Sequence, residues 1–202
     1  ARNPAPAGTP DRQIVIFLAA AVVAKTAAFM GIFGVSITML AQHRPVTEIA
    51  LMGVVGNGVG LGVQLLTGRL SDRIGRGALT TVVYTLCIPS LITLAVGNAF
   101  WHFAIATVLR SIYINSSNVL GPALLTDIVA RDRLGRALSW WGNSGWIGAI
   151  AAFATMGIAI QQFGVETTLA AAAALMTGAT LVTIWTLLRR STVPPAAASI
   201  GS

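Results

Sequence analysis

Lys25 and Arg110 each stand inside a long apolar stretch, and no other full charge lies so deep in such a segment. A charge in hydrocarbon costs at least about 2.5–3.5 kcal/mol on insertion scales, so it faces a cavity or a partner. Beyond Arg110, Tyr113 and Ser117 recur at helical spacing as one polar stripe, and Asn115 and Asn118 form a neighbouring one. Ser36 lies about three turns beyond Lys25 on a similar face. Lys25, Arg110, Tyr113, Asn115, Ser117 and Asn118 are therefore the candidate substrate-binding residues, a cationic, hydrogen-bonding set suited to a small anionic or polar solute. The structural alternative has equal weight: Arg110 braces backbone carbonyls, and Lys25 snorkels or pairs with a partner chain. No Asp or Glu falls in mid-segment, so these stretches offer no carboxylate proton relay.

A second constellation is Gly68-Arg69-Leu70-Ser71-Asp72-Arg73-Ile74-Gly75-Arg76, read as a tight, arginine-rich loop holding one carboxylate. Asp72 can accept hydrogen bonds from Arg69 or Arg76, or face the positive N-terminus of a neighbouring helix. Gly75 permits a left-handed turn. Other chemistries find no support. Cys87 is single and sits in an apolar segment, so it forms no disulfide within one copy. His43 and His102 are isolated near segment ends and make no metal cluster. Neither a nucleophile–base pair, a phosphate-cradling loop nor a pair of catalytic carboxylates is visible, so neither an enzyme nor a cofactor is expected.

The elements that position these residues follow from composition. Of 202 residues, 55% are hydrophobic and only 9% charged, against about a quarter charged in soluble domains. The net charge of +7 comes from arginines in short runs between apolar segments, not from an aromatic-interleaved face, so nucleic acid is not a partner. Six segments approach the roughly 20 apolar residues that cross a bilayer, at 13–41, 49–67, 78–96, 100–126, 137–161 and 167–188. Unpaired backbone groups are costly in lipid, so these are expected to be helices of one all-α domain over 13–190. Flexible tails are expected at 1–12 and 191–202, which are rich in Ala, Pro and Ser.

Arginines precede the first segment (Arg2, Arg12), follow the sixth (Arg189, Arg190), and fill the second and fourth connections, Arg69 to Arg76 and Arg131 to Arg136. That bias places both termini and both arginine connections in the cytoplasm. Trp101, and Trp140 with Trp141, suit interfacial anchors. Gly56 and Gly60, Gly58 and Gly62, and Gly142, Gly145 and Gly148 are spaced for close helix contact in lipid.

The nine-residue motif resembles the signature G-x-L-[AS]-D-R-x-G-R of the major facilitator superfamily, met at Gly68, Leu70, Ser71, Asp72, Arg73, Gly75 and Arg76. A second pattern is met in part by Arg110, Pro122 and Asp127, followed by Arg133-Leu134-Gly135-Arg136-Ala137, with Ile114 and Ser116 where the family has glycines. The family's Gly-Pro of the fifth helix is replaced by Ala152-Phe153. The resemblance implies a six-helix bundle equal to one half of a twelve-helix transporter, whose halves are parallel repeats. It also implies a cytoplasmic latch at Gly68, Asp72, Arg73, Gly75 and Arg76, and a central cavity lined by the first and fourth helices, where Lys25 and Arg110 lie. The expected function is half of an alternating-access solute transporter in a bacterial inner membrane, completed by a second copy or a partner half. The rival is a non-transporting structural or assembly subunit of a larger membrane complex.

Overall fold

In hydrocarbon a backbone must satisfy its own hydrogen bonds, and long apolar segments do so as helices. The computed structural model describes residues 11–191, and every regular element among them is α-helical. The helices are α1 (Asp11–Ala41), α2 (Val46–Ile74), α3 (Arg76–Val96), α4 (Phe100–Ile128) and α5 (Arg131–Ser191). The expected tails lie outside the described residues, except that Asp11, Arg12 and Ser191 belong to helices.

Five elements stand where six were expected, because α5 covers both of the last two segments in 61 residues. A straight helix of that length would reach about 90 Å, three times the hydrocarbon core. It is not straight. Gly164 interrupts it at φ 82°, ψ 167°, a conformation that suits glycine. Residues near its two ends, Leu134 and Leu138 on one side and Leu187 on the other, pack in one cluster around Phe17 and Trp141. The element is therefore a hairpin of two helical arms, 131–163 and 165–191.

The two connections read as arginine loops prove mostly helical. Residues 68–74 are the last turns of α2, and Arg131 opens α5. Only Gly75 separates α2 from α3, at φ 94°, with its N–H donated to the Ser71 carbonyl at 3.0 Å. Arg, Leu and Ser tolerate helix well, and the break falls at a glycine, which takes a positive φ without strain.

Four helices, α1, α2, α3 and α5, are long and apolar enough to cross a membrane by length and composition. The fourth, α4, was also expected to qualify, but its run of Arg110, Ser111, Asn115, Ser116, Ser117 and Asn118 dilutes its apolar character. The chain runs up and down. At one end Arg44 donates to the Asn98 carbonyl at 2.9 Å and Gln42 to the Gly97 carbonyl at 3.3 Å, joining the α1–α2 and α3–α4 turns. At the other end lie Gly75, the α4–α5 connection and the start of α1.

A central cluster of Tyr84, Leu91, Phe103, Tyr113, Leu169 and Met176 ties α3, α4 and the second arm of α5 together. Met30 and Met39 of α1 join the same cluster, whereas α2 and the first arm of α5 are peripheral. Along α2 the buried residues are Met52, Gly60, Thr67 and Ser71, spaced as one stripe, while Val54, Leu61, Leu65 and Leu66 are exposed. The first arm of α5 is likewise held by Trp141, Ser144, Ala152 and Met156, with Trp146, Ile150 and Phe153 exposed.

Glycines set the close approaches on these stripes. A Cβ at Gly56 would meet Ser111 and Thr107 of α4, and one at Gly60 would collide with the Asn115 amide. Around Gly58 and Gly62 there is open space, so only one of the two expected α2 pairs packs within the chain. A Cβ on Gly148 would stand 3.0 Å from the Lys25 Cβ and from the Thr26 nitrogen, whereas Gly142 again faces open space. Gly148→Leu is therefore expected to part α1 from α5 and cost about 1–3 kcal/mol. Thermal unfolding in detergent should show this as a lowered midpoint, with Gly142→Leu unchanged; equal midpoints would refute the packing assignment.

Candidate functional site

Lys25 points from α1 into the first arm of α5. Its Nζ donates to the Ser144 hydroxyl at 2.9 Å and to the Trp141 carbonyl at 3.3 Å, and stands 4.3 Å from the Trp141 ring centroid. A lysine ammonium has three protons to place and gains from an aromatic face when desolvated. Ser144 also donates to the Trp141 carbonyl at 2.6 Å, which fixes its hydroxyl as an acceptor for Lys25. The Trp141 ring stacks on Phe17 at 5.7 Å and lies over Gly121 of α4, where any Cβ would overlap it. Trp141, expected as an interfacial anchor, is thus buried inside the bundle, while Trp140 beside it is exposed. The reason is the need to cover Lys25.

Arg110 is as buried as Lys25, each at 7% exposure, but it turns to another neighbour. Its Nη1 donates to the Gly31 carbonyl of α1 at 2.8 Å, six residues beyond Lys25 and so about 9 Å further along the helix. Its Nε has no hydrogen-bond partner, nor does the Thr107 hydroxyl. Tyr113 meets Tyr84 of α3 edge to face, with centroids 5.1 Å apart.

The other candidates disperse around α4. Asn115 accepts from Gln64 of α2 at 3.0 Å and donates to the Ser111 carbonyl; Ser117 bonds back to the Ile114 carbonyl; Asn118 is exposed. Ser36, on α1, is exposed as well. Ser116, standing where the family pattern has a glycine, shares a hydrogen bond with Thr67 of α2 at 2.8 Å. Arg110 and Tyr113 are both buried on α4 but reach different helices, α1 and α3, and Lys25, Asn115 and Ser117 likewise turn to separate partners. Sequence reading missed Ser144, Tyr84 and Gln64 as those partners. Each is a polar residue in an apolar helix, a signal that marks a need without naming who meets it.

At the Gly75 end, the Arg76 guanidinium donates to the Asp127 carboxylate at 2.6 Å and to the Ala123 carbonyl at 3.1 Å. Of the partners open to Asp72 in the sequence, Arg76 is taken up by this bond to α4 instead. Asp72 and Arg73 are exposed, and among the described residues Asp72 has no ion-pair partner. Gly68 is half-buried, with its carbonyl accepting from Ser71 at 2.7 Å. At the opposite end His102 accepts from the Ala99 N–H through Nδ1 at 3.1 Å, closing the first turn of α4. No cluster of three or more His, Cys, Asp or Glu occurs among the described residues.

Long apolar helices, charges turned inward and an ionic clasp at one end define a multi-pass integral membrane protein. The family model of the Major Facilitator Superfamily matches residues 15–202, and the chain belongs to that superfamily of membrane transporters. No curated protein matches it.

The Lys25 seat offers only electron-rich groups. Lys25→Glu would set a carboxylate against a carbonyl and a ring face with no cation in reach, at a cost of about 3 kcal/mol or more. Loss of the folded, monodisperse species on size exclusion is the expected outcome; a variant as stable as the parent would refute the seat.

Proposed function

We propose that this helical unit spans the membrane six times, with both termini and the Gly75 end in the cytoplasm, and forms one half of an alternating-access transporter. The solute is small and anionic or polar. The observation that carries the reading is the Arg76 clasp on Asp127 and the Ala123 carbonyl, beside an exposed Asp72. Alternating access needs rigid units and ionic contacts at one end that form and release between states. Arg76 supplies one such contact between α3 and α4, exposed enough to release, and leaves Asp72 to meet the opposing half.

The exposed face of α2 is where that half packs, whether it belongs to the same polypeptide, a second copy or a partner. Of the two intramembrane cations, Arg110 is the solute contact. Its Nε is unengaged, whereas Lys25 is committed to α5. One observation favours the rival reading of a structural subunit: Arg110 already has the Gly31 carbonyl as a bracing partner.

Uptake of a panel of labelled small anions into proteoliposomes tests the assignment. Arg110→Gln is expected to abolish uptake with the protein still folded, and Lys25→Met to retain it. Loss with Lys25→Met and retention with Arg110→Gln would overturn the division of roles, and no uptake by the parent protein would favour the structural subunit. Asp72→Asn should slow the cycle several-fold without lowering the melting temperature; unchanged uptake would remove Asp72 from the latch.

A further inference from the structure

A groove of about 790 Å³ opens between α1 and the first arm of α5, at the end that carries the arginines. Its volume falls in the range of ligand sites, about 300–1,000 Å³. The walls are unlike a solute site, which gathers several convergent polar groups on an apolar ground. Here Ile14, Leu18 and Val22 of α1 and Ile147 of α5 make one continuous apolar floor. All of the charge sits at one end, on Arg133 and Arg136. Trp140, exposed over half its surface, flanks that end.

Length and polarity together select the occupant. Arg136 and Ile147 lie eleven residues apart on one helical arm, about 16 Å along its axis. One leaflet of a bilayer is about 15 Å of hydrocarbon. A groove with cations at its mouth, an aromatic beside them and a leaflet's depth of apolar wall matches a phospholipid, with headgroup at one end and chain along the floor. Two guanidiniums at that mouth select an anionic headgroup, since their planar forks pair with phosphate oxygens. Arg133 also lies 3.6 Å from Asp132, an exposed pair on its own helical turn, so Arg136 is the principal contact. We propose that this groove binds an anionic phospholipid drawn from the leaflet at the arginine end, its phosphate on Arg136 and Arg133 and an acyl chain along α1. This site is separate from the solute contact at Arg110 and does not rest on the transport reading.

Tryptophan quenching tests the proposal on the full chain. The protein is reconstituted in vesicles of brominated phosphatidylglycerol or of brominated phosphatidylcholine, with Trp140→Phe isolating the signal of Trp140. Stronger quenching of Trp140 by the anionic lipid is expected. Arg133→Gln with Arg136→Gln should reduce the preference by about fivefold per arginine, the usual effect of one cation near an anionic surface. Ala19→Trp, which fills the groove and keeps both arginines, should also remove it, with monodispersity on size exclusion as the folding check. Equal quenching by the two lipids would overturn the proposal. So would a preference surviving the arginine changes, a preference surviving a folded Ala19→Trp, or displacement by millimolar inorganic phosphate, which would make the ligand a soluble anion. A Trp140 shielded from both lipids would show that protein, not lipid, covers the groove.

Discussion

The seat of Lys25 is the interaction on which the architecture turns. An ammonium taken out of water must find several acceptors, and an apolar bundle has few to give. Here the Trp141 carbonyl, the Ser144 hydroxyl and the Trp141 ring meet it from one arm of α5. That arrangement requires α1 and α5 to approach closely, which Gly148 allows, and requires Trp141 to turn inward. Turning inward, the indole needs a recess, and Gly121 of α4 supplies it. One buried charge therefore fixes the relative positions of three helices. The first arm of α5 is otherwise held along a single stripe, so this seat does much to set its angle.

A second organising group is α4. Its polar residues disqualify it as a simple apolar span, yet they are what hold the bundle: Arg110 reaches α1, Tyr113 reaches α3, and Asn115 and Ser116 reach α2. Polar contacts between helices in lipid are individually modest, about 0.6 kcal/mol on average. Spread over three neighbours, they specify which face of α4 meets which helix more than they add stability. Threonines elsewhere are less demanding. Thr177, Thr180 and Thr183 each return a hydrogen bond to the carbonyl four residues back and need no partner.

How much of this was legible in the sequence depends on whether local composition or distant pairing decides the matter. The apolar segments were visible because a bilayer imposes length and composition directly. Gly75 was readable as a positive-φ position, and it is one. The helical character of residues 68–74 was not, because a charged run between apolar segments looks the same whether it coils or continues the helix. Gly164 gave no warning that the last two segments would join through a single residue. Polar residues announced that Lys25 and Arg110 needed partners. Nothing local could say that those partners were a tryptophan carbonyl and a glycine carbonyl, since backbone acceptors are everywhere and only the packing selects one. The Arg76–Asp127 pair joins residues far apart in sequence, and both had been noticed separately within the motifs.

The contrast between the buried and exposed charges bears on which of them can move. In hydrocarbon, parting Arg110 from the Gly31 carbonyl leaves a buried cation without that partner, a cost of several kcal/mol that holds the contact shut. The Arg76–Asp127 pair is 2.6 Å long but its side chains are 35% and 49% exposed. Water and salt replace such a pair readily, and its worth is on the order of 0–1 kcal/mol. A contact of that size adds little to stability. It can therefore shift between partners as helices rearrange, whereas the intramembrane contacts cannot do so without a replacement ligand. A bundle built this way is held at mid-depth by contacts that resist exchange, and at the arginine end by contacts that do not.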